Sequence, residues 1–314
     1  MIEYRSFRNA DPPELVRLWN AAVEGRAARP IQVDALESAV FSKLYFDPRG
    51  LLLAIESGRP VGFAHGGFGC DQAGDRLDRS LGVVSAVLVH PKHRRHGIGR
   101  ELVRHVEHYL TQSGAQVIYA GGMNPVNPFY LGVYGGSELP GFLHSSPSAK
   151  PFVEACGYRR ADECLVLTSS LTTMRDFPDP RFVRIRRTTL FEEDCLPKNT
   201  WWWASTMGPF DQRRFRVLSR EDGHQLAEAT AWDMVYLSRT LGARTAGLVG
   251  VEVAEDVRGQ GFGKFLVAEV LARLREHYFA AVEVQTMERN QTAIELYRSL
   301  GFEEIDRGTI YRKE

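Results

Sequence analysis

The chain has 314 residues, enough for two domains that each bury a core. Lys+Arg and Asp+Glu both number 39, so the net charge is zero, and nothing in the bulk charge calls for a nucleic-acid or anionic-membrane partner. No run reaches the ~18 apolar residues of a membrane helix. The four cysteines (Cys70, Cys156, Cys164, Cys195) fall into no C-x-x-C or zinc spacing, and the N-terminus carries no apolar signal segment. The expectation is a cytoplasmic protein with reduced cysteines and no metal.

In chain order, Ile2–Phe7 reads as a strand. Asp11 and Pro12 read as the start of a helix, with Glu14 at capping-box spacing and Leu15, Val16, Leu18, Trp19, Ala22 and Val23 on one apolar face. Strands follow at Leu51–Glu56 and Val61–Phe68, split by Ser57-Gly58-Arg59-Pro60, and another at Gly82–Val89. Residues Arg94-Arg95-His96-Gly97-Ile98-Gly99 then spell R-x-x-G-x-G ahead of an amphipathic helix with Ile98, Leu102, Val103, Val106, Tyr109 and Leu110 at helical spacing, and Gln116–Ala120 reads as a strand. The second half repeats the order. Phe182–Ile185 reads as a strand and Glu192–Trp203 as a helix. Arg213–Ser219, Gln225–Leu237 and Leu241–Val253 read as strands. The same motif recurs at Arg258-Gly259-Gln260-Gly261-Phe262-Gly263, followed by a helix, a strand at Ala281–Thr286 and a helix at Asn290–Leu300 closed by Gly301. Leu171–Pro180 reads as a linker.

A strand, a glycine turn and a helix start form an anion cradle. Unpaired N–H groups and the positive helix end face a phosphate, and glycine lets the backbone approach it. Two copies in one chain predict a tandem repeat of a phosphate-binding domain. The strand runs predict an α/β (α+β) fold in which each domain is a mixed, mostly antiparallel sheet with helices on both faces. The predicted division is 1–170, a linker at 171–180, and 181–314.

These residues carry a family resemblance. Val251 to Gly263 and Val87 to Gly99 resemble the coenzyme A signature of the GCN5-related N-acetyltransferase (GNAT) superfamily. The stretch Asn290-Gln-Thr-Ala293-Ile-Glu-Leu296-Tyr297-Arg-Ser-Leu-Gly301-Phe302 resembles its other hallmark, N-x-x-A-x-x-L-Y-x-x-x-G-F. The resemblance implies a tandem N-acetyltransferase. The backbones of Arg258 to Gly263 and of Arg94 to Gly99 would hold the pyrophosphate of acetyl-CoA. Val251 and Val253, or Val87 and Val89, would lie on a splayed strand that pairs with the pantetheine arm and polarises the thioester. Asn290 would sit near that arm, and Tyr297 would donate a proton to the leaving thiolate. An amine of a small molecule or peptide would attack directly.

The halves differ. Gly97 to Gly157 spans 60 residues where Gly261 to Gly301 spans 40, so the first half holds a Gly/aromatic insertion at about 121–147. Aligning the two glycines puts Val153 at the position of Tyr297, which favours the second half as catalytic. Tyr130 or Tyr134 of the insertion could substitute in the first half. The insertion reads equally as a substrate loop or as a plug. Glu252 is a candidate general base, with Glu288, His65, His90 and a water chain as alternatives; Gln285 stands where some relatives carry a glutamate. Trp201-Trp202-Trp203 reads as packing or as an acceptor pocket. Two further readings stay open: catalysis in the first half, and a CoA-binding sensor or scaffold without turnover. Monomer and homodimer are both compatible with the sequence.

Overall fold

The structure is a computed structural model that describes residues 1–27, 30–133, 135–174, 177–195 and 200–313. In the first half, strand β1 (Ile2–Ser6) leads to α1 (Pro12–Ala22) and the short α2 (Val33–Leu36). Strands β2 (Leu51–Glu56), β3 (Arg59–Cys70) and β4 (Leu77–Val89) follow, then α3 (Ile98–Gln112), β5 (Val117–Ala120), β6 (Phe142–Leu143), α4 (Ala149–Ala155) and β7 (Arg159–Ser170). The second half runs α5 (Arg181–Thr188), β8 (Thr189–Asp194), α6 (Trp201–Met207), β9 (Gln212–Ser219), β10 (Gln225–Asp233) and α7 (Val235–Leu241). It closes with β11 (Thr245–Val253), α8 (Phe262–Glu276), β12 (Ala281–Met287), α9 (Gln291–Ser299) and β13 (Glu303–Lys313).

Packing divides the chain into two units. The first is Met1–Cys164, Asn199–Pro209 and Asp306–Glu314; the second is Leu165–Lys198 and Phe210–Ile305. Relative to a linear cut at 171–180, the end of β7 packs with the second unit, and α6 and most of β13 pack with the first. Strand periodicity marks a strand but does not name its partner, which is why the exchange is absent from the sequence pattern.

In the first unit the strand order is β1-β2-β3-β4-β5-β13, with β6 on β13. Every pairing along it is antiparallel except β4–β5, which is parallel across the α3 connection. Neighbouring residues of β3 show that both faces are covered. A Cβ on Gly66 would meet Val106 of α3, and one on Gly67 would meet Phe129 of the insertion. Ile98, Leu102, Val103, Val106 and Leu110 put the apolar stripe of α3 into the core. In the second unit the order is β8-β9-β10-β11-β12-β7, with β8–β9, β9–β10 and β10–β11 antiparallel and β11–β12 parallel across α8. Its core gathers Phe262, Phe265, Leu266, Val270, Leu271 and Leu274 of α8.

Four local expectations are corrected. Asp11 sits at the N-cap of α1, but its carboxylate takes Arg5 at 2.7 and 2.8 Å and the Arg8 N–H at 2.7 Å, so it does not cap. Residues 182–185 are helical: α5 buries Phe182 and Ile185, three apart, and leaves Val183 exposed. Residues 192–194 are a strand rather than a helix. Glu192, Glu193 and Asp194 find Arg216, Arg213 and Arg214 across the ladder at 3.1, 2.5 and 3.1 Å, a charge match made by β9 and invisible locally. The long strand expected at 225–237 ends at Asp233 and turns into α7.

Candidate active site

Both halves build the same device. Among the described residues strand β4 pairs with β5 only through Leu81–Val84, and from Ser85 to Val89 no strand lies beside that edge. Among the described residues strand β11 pairs with β12 only through Thr245–Leu248, and from there to Val253 no strand lies on that edge. A bulge marks each departure. Ser85 is the extra residue between the His65↔Ala86 and Gly66↔Val84 pairs, and Gly250-Val251 oppose Ala229 alone. Val87, Val89, Val251 and Val253 turn their side chains onto the cores under α3 and α8. What they offer a ligand is therefore backbone N–H and C=O.

The cradles follow. Arg94 Nε donates to the Val89 carbonyl at 3.0 Å, and Arg258 Nε to the Val253 carbonyl at 3.2 Å, so the first arginine of each motif braces the loop against its strand. Gly97 and Gly261 are left-handed N-caps, with φ of 81° and 97°. Ile98 and Phe262 anchor the helix starts in the cores. Gly99 and Gly263 pack tightly: a Cβ would meet Phe152 at 2.9 Å in one and Val253 at 3.2 Å in the other.

Charge and access separate the two. The first loop carries Lys92, Arg94 and Arg95 and no acid; the second carries Glu255, Asp256 and Arg258. At the loop's second residue both copies need a positive φ, met by Gly259 at 75° and by Arg95 at 65°. A left-handed non-glycine residue costs about 1 kcal/mol, and here it sets an exposed guanidinium beside the cradle. His96 is exposed in the first loop, whereas Gln260 bonds back to the Asp256 carbonyl at 3.1 Å. A Cβ on Gly97 would meet nothing, whereas one on Gly261 would meet Arg181 Nε at 3.2 Å. Arg181 is held there by Asp179, whose carboxylate accepts from it at 2.7 and 2.9 Å and lies 3.6 Å from Lys264 Nζ. The Arg181 hydrogen bonds keep the Asp179 carboxyl well below the usual range.

The first half holds a cleft of about 540 Å³ along the free edge of β4. Ser85 to Val89 form one wall, Arg94, Arg95 and Gly97 to Arg100 the end at the glycine turn, and Phe152 and Cys156 the α4 side. Trp19, Ala22, Val23 and Glu24 come from α1 and its C-terminal end, and Gly121, Gly141, Phe142 and Leu143 from the insertion. The insertion is thus wall as well as core, since Phe129, Tyr130 and Leu139 are buried. Glu24 pairs with Arg94 and accepts from Ser148 at 2.7 Å. Burial opposes its charge, but those two partners hold its carboxyl below the ordinary range.

The remaining candidates are dispersed. Tyr130, at φ 69°, is 2% exposed, stacks on Trp19 and meets His65 Nδ1 through its hydroxyl at 2.9 Å. His65 is fully buried, stacked on Phe129 at 4.2 Å, and burial pushes its imidazole down to about 3. Tyr134 lies outside the described residues. Val153 and Tyr158 are buried where α4 runs into Gly157 (φ 88°), as Tyr297 and Phe302 are where α9 runs into Gly301 (φ 76°). Tyr297 is 4% exposed and packs on Phe302 at 5.5 Å. Asn290 caps α9, accepting the Ala293 N–H at 3.2 Å. Glu252 is exposed and faces Glu228 across the ladder. His90 is the N-cap of the turn before the first cradle, its Nδ1 accepting Lys92 N–H at 3.3 Å. Trp201 and Trp202 pack on Tyr45, and Trp202 Nε1 donates to Asn127 at 3.2 Å, so the first unit uses them for packing. Ser85 was not singled out by sequence; a serine one residue inside a bulge leaves no periodic signal. Among the described residues no helix is long and apolar enough to cross a membrane, and no group of three His, Cys, Asp or Glu could hold a metal.

Splayed strands, glycine cradles and a cleft along a free strand edge define an acyltransferase that takes its acyl group from coenzyme A. A family model, "Acetyltransferase (GNAT) family", matches residues 15–134 and 174–302, and the chain belongs to that family; it is an N-acetyltransferase whose family uses acetyl-CoA. It is 29% identical over 291 residues to a mycothiol acetyltransferase of Saccharomonospora viridis, covering 84% of each chain. It is 25% identical over 322 residues to that of Thermobispora bispora, covering 96% of each. In fold it resembles a tandem GNAT protein from the clavulanic acid biosynthesis pathway, with a TM-score of 0.69 at 16% identity, covering 100% of this chain and 98% of that one.

Proposed function

We propose that this chain transfers the acetyl group of acetyl-CoA to the amine of a small molecule, and that it does so in the first half. The single observation carrying this reading is the 540 Å³ cleft, which joins an open cationic cradle to the free edge of β4. Sequence spacing favours the second half through Tyr297. The geometry favours the first, because the second cradle has Arg181 and Asp179 laid against it and the acids Glu255 and Asp256 in its loop.

The fit of the ligand to the residues is direct. Arg95 and the N–H groups at the start of α3 would hold the pyrophosphate, and Ser85 to Val89 would pair with the pantetheine arm. Bound there, acetyl-CoA supplies an activated acyl group. The protein's part is to orient the thioester, place N–H donors at its oxygen and exclude water between α1, the insertion and β4. The mycothiol acetyltransferase relatives make a mycothiol-type amine the first acceptor to try. Incubation with acetyl-CoA and the unacetylated amine form of mycothiol, followed by mass spectrometry, should show an acetylated product. Tight acetyl-CoA binding with no product from any amine would leave a CoA-binding sensor instead.

A further inference from the structure

We infer that Ser85 is a side-chain hydrogen-bond donor to the acetyl oxygen in the first cleft; this rests on the first-half reading above. Four observations converge on it. Ser85 is the extra residue of the bulge at which β4 leaves β5, the point where the backbone turns its groups into the cleft. It lines that cleft, yet it is only 5% exposed. Among the described residues its Oγ has no hydrogen-bond partner. A buried hydroxyl left unpaired costs about 1–3 kcal/mol, so native structures rarely keep one without a use. One register position away, on β3, His65 Nε2 is a second buried polar atom without a partner among the described residues.

The position along the ligand fits as well. Ser85 lies four steps along the strand before Val89, next to the cradle, and at the strand rise that is about 13 Å. An extended pantetheine arm with its phosphates at Arg94 to Gly99 would therefore bring its thioester to the Ser85 end. The first half has Val153 at the position of the second half's Tyr297, so no phenol is supplied from α4 there. Ser85 supplies a hydroxyl from the opposite wall.

The chemistry balances without any added reactant. The amine nitrogen forms a bond to the acetyl carbon, the carbonyl oxygen gains negative charge, and the C–S bond then breaks as that charge returns. The proton lost by the amine ends on the thiolate. Ser85 keeps its own proton throughout and strengthens one hydrogen bond as the oxygen becomes charged.

The test compares Ser85→Ala and Ser85→Thr with the wild type. Acetyl-CoA is followed to CoA by chromatography, with an amine present and with water alone as the floor. Ser85→Ala should lower kcat on the order of 10- to 100-fold, with acetyl-CoA affinity by calorimetry within about twofold, and Ser85→Thr should recover part of the loss. Without acetyl-CoA, Ser85→Ala should melt at or above the wild type, because an unpaired buried hydroxyl has been removed. An unchanged kcat, or a loss explained by a lower melting temperature, overturns the assignment. Gly97→Val is the control: if it leaves acetyl-CoA binding intact, the first-half reading fails, and that result is separate from any result at Ser85.

Discussion

The two cradles share a backbone and differ in what surrounds it. Both have the splayed strand, the bulge, the arginine brace and the left-handed glycine cap. The first adds Lys92 and Arg95 and leaves Gly97 open; the second adds Glu255 and Asp256 and lays the Asp179–Arg181 pair against Gly261. A phosphate-binding motif sets the geometry of a site, while the charge and access around it decide whether a polyanion enters.

The comparison can be broken in four ways. Gly97→Val has the largest expected effect. A β-branched residue at φ 81° is strained, and its side chain fills the phosphate approach, so acetyl transfer should fall by more than about 100-fold, read as CoA release. Next, Asp179→Ser with Arg181→Ala should uncover the second cradle. Phe182 and Ile185 keep α5 in the core, so the fold should hold and a second, weaker acetyl-CoA site should appear in a binding titration. If none appears, the pair is not what closes that cradle. Arg95→Gly gives the first loop the second loop's residue. Acetyl-CoA affinity should drop roughly three- to tenfold, with a shallower salt dependence, while relief of the left-handed strain offsets any loss of stability. Tyr297→Phe is the smallest. The first-half account predicts turnover within about twofold, and a tenfold fall would return catalysis to the second half.

Much of this was legible in the sequence. Two R-x-x-G-x-G turns, each between an apolar strand and a periodic helix, together with the Asn290–Phe302 hallmark, carried the family and the sheets, because glycine spacing and helix periodicity are local. Arg181 beside Gly261 was not legible: it lies 80 residues from that glycine, on a segment whose Phe182-Val183 alternation mimics a strand. The α6 tryptophans and β13 likewise join the first unit through partners far along the chain. The lone hydroxyl of Ser85 acquires meaning only once the bulge and the empty strand edge are seen together.

The most direct test of the central claim is calorimetric titration of the wild-type chain with acetyl-CoA, beside Gly97→Val and Gly261→Val. The account predicts one site per chain, lost with Gly97→Val and kept with Gly261→Val. Two sites in the wild type, or a single site lost with Gly261→Val, would contradict it.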